Sequence, residues 1–506
     1  MAKVLVLAFA LLALAWVFSD PPGAGPDEPA NYVKAIAIGG GQLLGQPGPL
    51  PAQVATRLRL DGPRYAFANS TTRWVTVPPN LAPVGFACNA FDATQPAGCI
   101  GQTQPSAASN ALPTYTGTYE PFVYAIPGLL GRLGDNAATA LLVMRATNAV
   151  LCLALLALAV WLLSDKAAGA LPMLGLMLAA TPELIWLTAI VNASGPEVCA
   201  GLCFFAGILR MARPQAVSRG VWIALMTSGT ALALSRPLGV IWLALDLMLL
   251  IQILRPAGLR RRFQDGGWYS RAAAVVVLCS TGLAVAWEAA IEPHHSTALA
   301  EVLQQLPTAV WGLPQDVREG VGVFGWLETY MPSAGYDVWA LVVAVILGFA
   351  LVIGTHRQRM MLGLLAALTV AVTLGVAAAI IGPVGFALQG RYVMPFTLTL
   401  PLFAGEVIYR HRERIPRIAT GYLVAVVGLT TAGLQLVGWL SNARREAVGV
   451  GGPLAFWARS QWSPPLGWLP WFVLVAIGCV ALVAASRLSS VAAAAPAKDA
   501  GSPLAA

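Results

Sequence analysis

The sequence predicts an all-α polytopic membrane protein of about twelve transmembrane helices, with a large water-facing first loop. Three observations predict it. Of 506 residues, 57% are hydrophobic and only 11% are charged, and the mean hydropathy is +0.70; a soluble domain carries about 25% charged residues. Apolar runs near the roughly 20 residues that a bilayer demands recur from residue 137 onward. The basic residues, 27 Arg and only 4 Lys, cluster in the loops between alternate runs, as in proteins whose basic loops face the cytoplasm. This composition excludes an ordinary soluble enzyme. It also excludes disorder, which needs low hydrophobicity and high charge. The net charge of +8 is therefore a topology signal, and no nucleic-acid partner is expected.

Taken in order, residues 4–18 follow Lys3, lack a small-x-small cleavage site before Asp20, and read as an uncleaved first helix. Residues 20–136 are polar and form the first external loop. Within it Pro121 to Leu133 is apolar but too short to span, and reads as an interfacial helix. Helices are then expected at 137–163, 168–190, 193–212, 219–234, 237–254, 272–291, 337–355, 360–381, 391–409, 416–439 and 468–486. The inward loops carry Lys166; Arg210, Arg213 and Arg219; Arg255, Arg260, Arg261, Arg262 and Arg271; Arg357 and Arg359; and Arg410, Arg412, Arg414 and Arg417. The short outward turns carry Arg236 alone or Arg391 alone.

That alternation places both termini in the cytoplasm and segments 20–136, 292–336 and 440–467 outside. The Arg-over-Lys bias, with abundant Ala and Gly, suits a GC-rich bacterial genome, and the expected location is the bacterial inner membrane. The chain divides into a module of residues 1–291, an external loop 292–336, C-terminal helices 337–486 and an Ala-rich cytoplasmic tail 487–506 expected to be disordered. No internal repeat is evident, which disfavours a repeat-built transporter. Five of seven cysteines lie in apolar runs, where a thiol acts as a small hydrophobe. Cys88 and Cys99 lie in the polar external stretch and are candidates for a disulfide.

Three constellations carry chemistry. PDEPANY, Pro26 to Tyr32, sets Asp27 and Glu28 between prolines just beyond the first helix. A positioned carboxylate takes the proton of an attacking hydroxyl well; equally, the pair is a solvated turn capping a helix over 29–38. QGRY, Gln389 to Tyr392, offers Arg391 at an outer helix start, where a guanidinium fork matches phosphate; equally, Arg391 is an interfacial anchor. FGWLETYMP, Phe324 to Pro332, offers Trp326 and Tyr330 for stacking on a sugar and Glu328 for its hydroxyls; equally, it is an aromatic belt.

Arg236 and Lys34 are further cations for a lipid phosphate. Asn31, Tyr32, Glu120, Gln389 and Tyr392 are further candidates to touch substrate. Arg145, Asp246 and Glu288 are charges in apolar runs, and His294–His295 is a weak metal signal. The chain has no HExxH, CxxC, P-loop or dinucleotide fingerprint, which argues against a nucleotide-driven pump and a zinc protease.

These segments, with the N-x-x-x-P-E stretch Asn192 to Glu197, occur in an order that resembles the bacterial membrane proteins of domain-of-unknown-function family 2142, over roughly residues 20–440. That family in turn resembles the GT-C membrane glycosyltransferases, which carry an acidic residue in the first external loop and an active-site loop after the seventh helix. The resemblance implies an extracytoplasmic glycosyltransferase. Its donor is a polyprenyl-phosphate-linked sugar and its acceptor an envelope glycan, lipid or protein. Asp27 or Glu28 is the base, and Arg391, with Arg236 or Lys34, holds the donor phosphate. The family motif reads D-E-P-A-H-Y, and here Asn31 replaces the His; Asn is neither acid nor base, so a divalent cation is disfavoured and no cofactor is expected. Two other readings stay open: a flippase or transporter of a lipid-linked glycan, and a non-catalytic scaffold of envelope assembly.

Overall fold

The structure, a computed structural model, describes residues 1–102, 110–165, 167–291 and 298–494. His294 and His295, Lys166 and residues 495–506 of the expected tail lie outside the described residues. The chain is all-α apart from short strands. Among the described residues, seven helices are long and apolar enough to cross a membrane: Ala2–Ser19, Ala137–Leu163, Pro237–Ile291, Ser333–Ile353, His356–Val384, Arg417–Val448 and the apolar part of Leu469–Ala494. The last continues through residue 494, so the tail expected from 487 begins helical.

A polytopic body is thus observed, but length and composition do not yield twelve spans. The expected helix 168–190 is two pieces, Leu171–Ala179 and Pro182–Ala189, bent by 67°. Pro182 cannot donate a backbone bond to the preceding turn, and the Thr181 side chain caps the new helix at Leu184. Arg219–Ala233 has 15 residues and Thr399–Arg410 has 12, both short of a span. Ser194–Met211 is buried along nearly its whole length, sheathed by its neighbours.

The expected helices 237–254 and 272–291 are two legs of one helical stretch, Pro237–Ile291, broken at Arg255 and Gly267. Arg255 precedes Pro256, which drives it out of helical backbone, and its φ is +60°. The loop expected over 292–336 contains an amphipathic helix, Leu299–Gly322, and a hairpin pairing Val323–Phe324 with Thr329–Tyr330.

The first loop folds into an outer layer. Helix Glu28–Gly39 packs on Phe122–Gly131, and Gly128 permits it: a Cβ there would sit 1.9 Å from the Ala35 carbonyl oxygen. Beside them lies an antiparallel sheet ordered Gln46–Pro47, Arg73–Thr76, Ala111–Thr114. A second core of Tyr32, Ile36, Val75, Phe86, Tyr124 and Met144 seats this layer on the start of Ala137–Leu163. Cys88 and Cys99 form a disulfide, with Cα atoms 6.0 Å apart.

The basic loops meet at the other end of the body. Arg213 binds Glu406 and the Leu163 carbonyl. Arg262 donates to the carbonyls of Arg213 and Gln215. Arg357 donates to the Gln252 and Ile253 carbonyls, and His411 meets Gln358. The short loops between helices thus make this the arginine-rich end; the motif-bearing layer stands at the opposite end and has arginines of its own, Arg145, Arg236, Arg391 and Arg445, each held by a partner.

Candidate functional site

Asp27 is the residue before helix Glu28–Gly39, yet its side chain does not cap that helix. Its backbone is left-handed, with φ 61°, a conformation uncommon outside glycine and worth a functional look. The twist turns the carboxylate outward. Oδ1 accepts from the Tyr115 hydroxyl at 3.0 Å, and Oδ2 accepts from Arg391 Nη2 at 3.0 Å. Burial, and after it the Asp27 charge, keeps the Tyr115 hydroxyl protonated well above the usual tyrosine range, so it serves as a donor.

Arg391 comes from the short turn Gly390–Tyr392, in the segment that opens the helix Thr399–Arg410. Only about 6% of its side chain is exposed, against 31% for Asp27. Its Nε and Nη1 are buried without an acceptor among the described residues. Unmet buried donors are costly, so this guanidinium has capacity for a further anion. Glu319, on the amphipathic helix, accepts from the Gly390 N–H at 2.8 Å and so fixes the turn that carries Arg391. A second guanidinium joins it: Arg236 lies over the Tyr392 ring at 4.2 Å and donates to Ser194 Oγ at 2.9 Å.

Together Asp27, Arg391, Arg236, Asn31, Tyr119, Tyr124 and Asn192 line one pocket, with Pro26, Ala193 and Ser194. The N-terminus of Ser194–Met211 opens onto it, adding the positive end of a helix to the two guanidinia. The pocket holds about 20 Å³, room for one water molecule.

A match to a family model now has a site beside it. Residues 9–400 match the family described as "Predicted membrane protein (DUF2142)". The chain belongs to this family. The match embraces every pocket residue from Pro26 to Arg391 and stops before the last helices. No curated protein matches the chain. Two solved structures are similar to it: ArnT from Cupriavidus metallidurans bound to undecaprenyl phosphate, at TM-score 0.43, and the same protein in the apo state, at 0.42. Each is 15% identical, covering 96% of this chain and 76% of that one.

Several residues of the family motifs stand elsewhere than the sequence suggested. Glu28 is not in the pocket. It is fully buried, paired with Arg145 through Nε at 2.8 Å and Nη2 at 2.6 Å, and it accepts from the Gly23 and Val191 N–H groups. A carboxylate so enclosed has no access to an acceptor hydroxyl. Lys34 is likewise removed as a phosphate ligand: its Nζ donates to the carbonyls of Thr116, Gly117 and Tyr119, bracing the turn beyond Tyr115. Tyr32 is fully buried, its hydroxyl on the Leu81 carbonyl.

The aromatic segment does not form a sugar platform at the pocket. Trp326 is 7% exposed and donates to the Gly23 carbonyl, beside the Phe91 ring. Glu328 pairs with Arg445 at 2.5 Å. Tyr330 is half exposed, hydrogen-bonded to Gln315. This segment ties the hairpin to the outer layer and to Arg417–Val448. Gln389, Tyr392 and Glu120 do not line the pocket, though Tyr392 and Glu120 both neighbour Arg236, which does. Gln389 has a buried Oε1 with no donor among the described residues. Glu120 is 1% exposed and faces Glu288 with Arg236 and Lys34 nearby; burial raises its carboxyl above the usual glutamate range.

Asn31 accepts from the Tyr124 hydroxyl at 3.0 Å. Among the described residues no three His, Cys, Asp or Glu side chains converge. Sequence reasoning did not name Tyr115, Tyr119 or Tyr124. The tyrosine-rich run from Tyr115 to Tyr124, directly before the apolar helix, was the available signal.

Proposed function

We propose that this protein is a membrane glycosyltransferase of GT-C type that moves a sugar from a polyprenyl-phosphate donor to an envelope acceptor. The observation that supports it best is the pairing of Asp27 with a buried guanidinium that still has two unmet donors, beside a second arginine, in one pocket. In bacteria no nucleotide sugar is available outside the cell, so an outward-facing transferase draws its donor from a lipid. The separation of the arginine-rich end from the motif-bearing end fits such an orientation.

The donor's phosphodiester replaces the Asp27 carboxylate as the partner of Arg391 and fills its unmet donors. Arg236 supplies a second positive charge. The released Asp27, held by Tyr115, then accepts the proton of the acceptor hydroxyl. The acceptor oxygen forms a bond to the anomeric carbon, the bond from that carbon to the phosphate oxygen breaks, and polyprenyl phosphate leaves with the electron pair. A single displacement inverts the anomeric centre. Asn31, which lines the pocket, hydrogen-bonds the sugar in this reading, whereas the Asn192 amide is spent on the Leu187 and Ile190 carbonyls and the Gly195 N–H and shapes the pocket wall.

The flippase reading has less support. It needs a polar path across the bilayer. Glu406 is paired with Arg213 and Arg410 at the arginine-rich end, and Glu288 lies by Glu120 at the other. Asp246 lies buried between the ends of its leg, with no acidic or basic partner bridging it to either end among the described residues. The test is transfer by the purified protein in liposomes supplied with polyprenyl-phosphate sugars. Loss of transfer in Asp27→Asn with donor binding intact supports the reading; lipid movement between leaflets without release of polyprenyl phosphate refutes it.

A further inference from the structure

The arginine-rich end contains a cavity unrelated to the Asp27 pocket. It holds about 760 Å³, ample by the scale of ligand sites. It lies between Ser194–Met211, Arg219–Ala233 and the two legs of Pro237–Ile291, walled by Phe204, Trp222, Leu250, Leu259 and Val277. Its walls are almost wholly apolar. Among the described residues lining it, Arg260 is the only charged one and Gln264 the only amide, and both are solvent-exposed.

The break in the helical stretch makes this arrangement. Non-helical backbone at Arg255 and Gly267 isolates a short helical segment over 256–266. Leu259 and Phe263 of that segment line the cavity, while Arg255, Arg260 and Arg261 are exposed. Arg262 is spent on the carbonyls of Arg213 and Gln215, and Asp265 is the lone acid of the segment. Trp268 and Tyr269 follow, 75% and 40% exposed, the residue types that settle at a bilayer interface. The segment thus has the composition of a basic interfacial helix roofing an apolar chamber.

We infer that this chamber binds an anionic phospholipid of the leaflet at the arginine-rich end, with an acyl chain inside and its phosphate against Arg260 and Arg261. Basic pockets between membrane helices select anionic headgroups in this way. The donor lipid's phosphate is a poor fit. The cavity's polar rim and Arg236, beside the Asp27 pocket, stand at opposite ends of the leg 237–254, which is about 27 Å long at 1.5 Å per residue. The inference stands on the membrane reading alone and holds whether or not Asp27 is catalytic.

The test uses the full chain purified in detergent. It is incubated with equal amounts of phosphatidylglycerol and phosphatidylcholine of matched acyl chains, and native mass spectrometry reads the retained lipid. Wild type retains phosphatidylglycerol over phosphatidylcholine by about tenfold or more. Arg260→Gln with Arg261→Gln brings the ratio near one, and Ala274→Trp, which fills the chamber, removes the retained lipid. Each variant is first required to elute and melt as wild type; if Ala274→Trp does not, Leu278→Trp takes its place. A wild-type ratio near one, retention unchanged in the filled variant, or preferential retention of added polyprenyl phosphate overturns the inference.

Discussion

Asp27 and Arg391 stand 364 positions apart in the chain and meet at 3.0 Å. One comes from the loop after the first helix and the other from the turn before a late one, so the contact closes the body around the pocket. The carboxylate also accepts from the Tyr115 hydroxyl, while Nε and Nη1 of the guanidinium have no acceptor among the described residues. In the proposed reaction an incoming phosphate opens this pair.

Asp27→Asn keeps the shape of the side chain and removes the base. Transfer is expected to fall about 10²–10⁴-fold in kcat, the usual worth of a positioned general base, while donor binding holds or tightens, because the neutral amide competes less than the carboxylate for Arg391. Initial-rate kinetics on folded, liposome-reconstituted protein check this. Glu28→Gln, by contrast, is expected to act through stability.

Arg391→Gln removes the pair with Asp27 and the proposed phosphate clamp. A loss of about 10²–10³ in rate is expected, as for other single donors to a developing anion. Arg391→Lys is expected not to restore it, because an ammonium lacks the planar fork. Donor titrations of both variants against wild type separate binding from turnover.

Glu28 and Arg145 form a pair with side chains 0% and 1% exposed. Removing one partner leaves the other charge buried, a loss of about 3–5 kcal/mol. Arg145→Met is therefore expected to lower Tm sharply and to reduce yield. Thermal unfolding monitored in detergent checks it; an unchanged Tm contradicts the structural role assigned to the pair.

Burial, with Glu319 nearby, raises the Asp316 carboxyl from 3.8 to about 7. The folded state holds this proton more tightly than the unfolded state. Stability from this group is therefore lost as pH rises from about 4 to about 7. Asp316→Asn cannot ionise, so it is expected to match wild type near pH 4 and to exceed its Tm at pH 8. Melting curves across that range check the sign.

Much of the fold was legible because bilayer physics is written in composition. Long apolar runs and alternating arginine loops located the first helix, the outer loop and most long helices. The span count was not legible. Whether 168–190 is one helix depends on Pro182 and Thr181, and whether Ser194–Met211 touches lipid depends on what surrounds it. The site was half legible. Asp27, Arg391 and Arg236 stood out as charges at helix ends, and the structure brings them together. Glu28 and Lys34 looked equivalent to them in sequence, but each is consumed by partners more than 80 positions away, Arg145 for one and the carbonyls near Tyr119 for the other. Trp326 and Glu328 had the composition of a sugar platform, yet they serve Gly23 and Arg445.

The most direct test of the proposed transferase is release of free polyprenyl phosphate. Purified wild-type protein and Asp27→Asn are reconstituted with labelled polyprenyl-phosphate sugars and an envelope extract as acceptor. The account predicts that wild type releases polyprenyl phosphate in step with labelled product, and that Asp27→Asn binds donor but releases none. Full release by Asp27→Asn, or donor that crosses the bilayer intact in wild type, would contradict it.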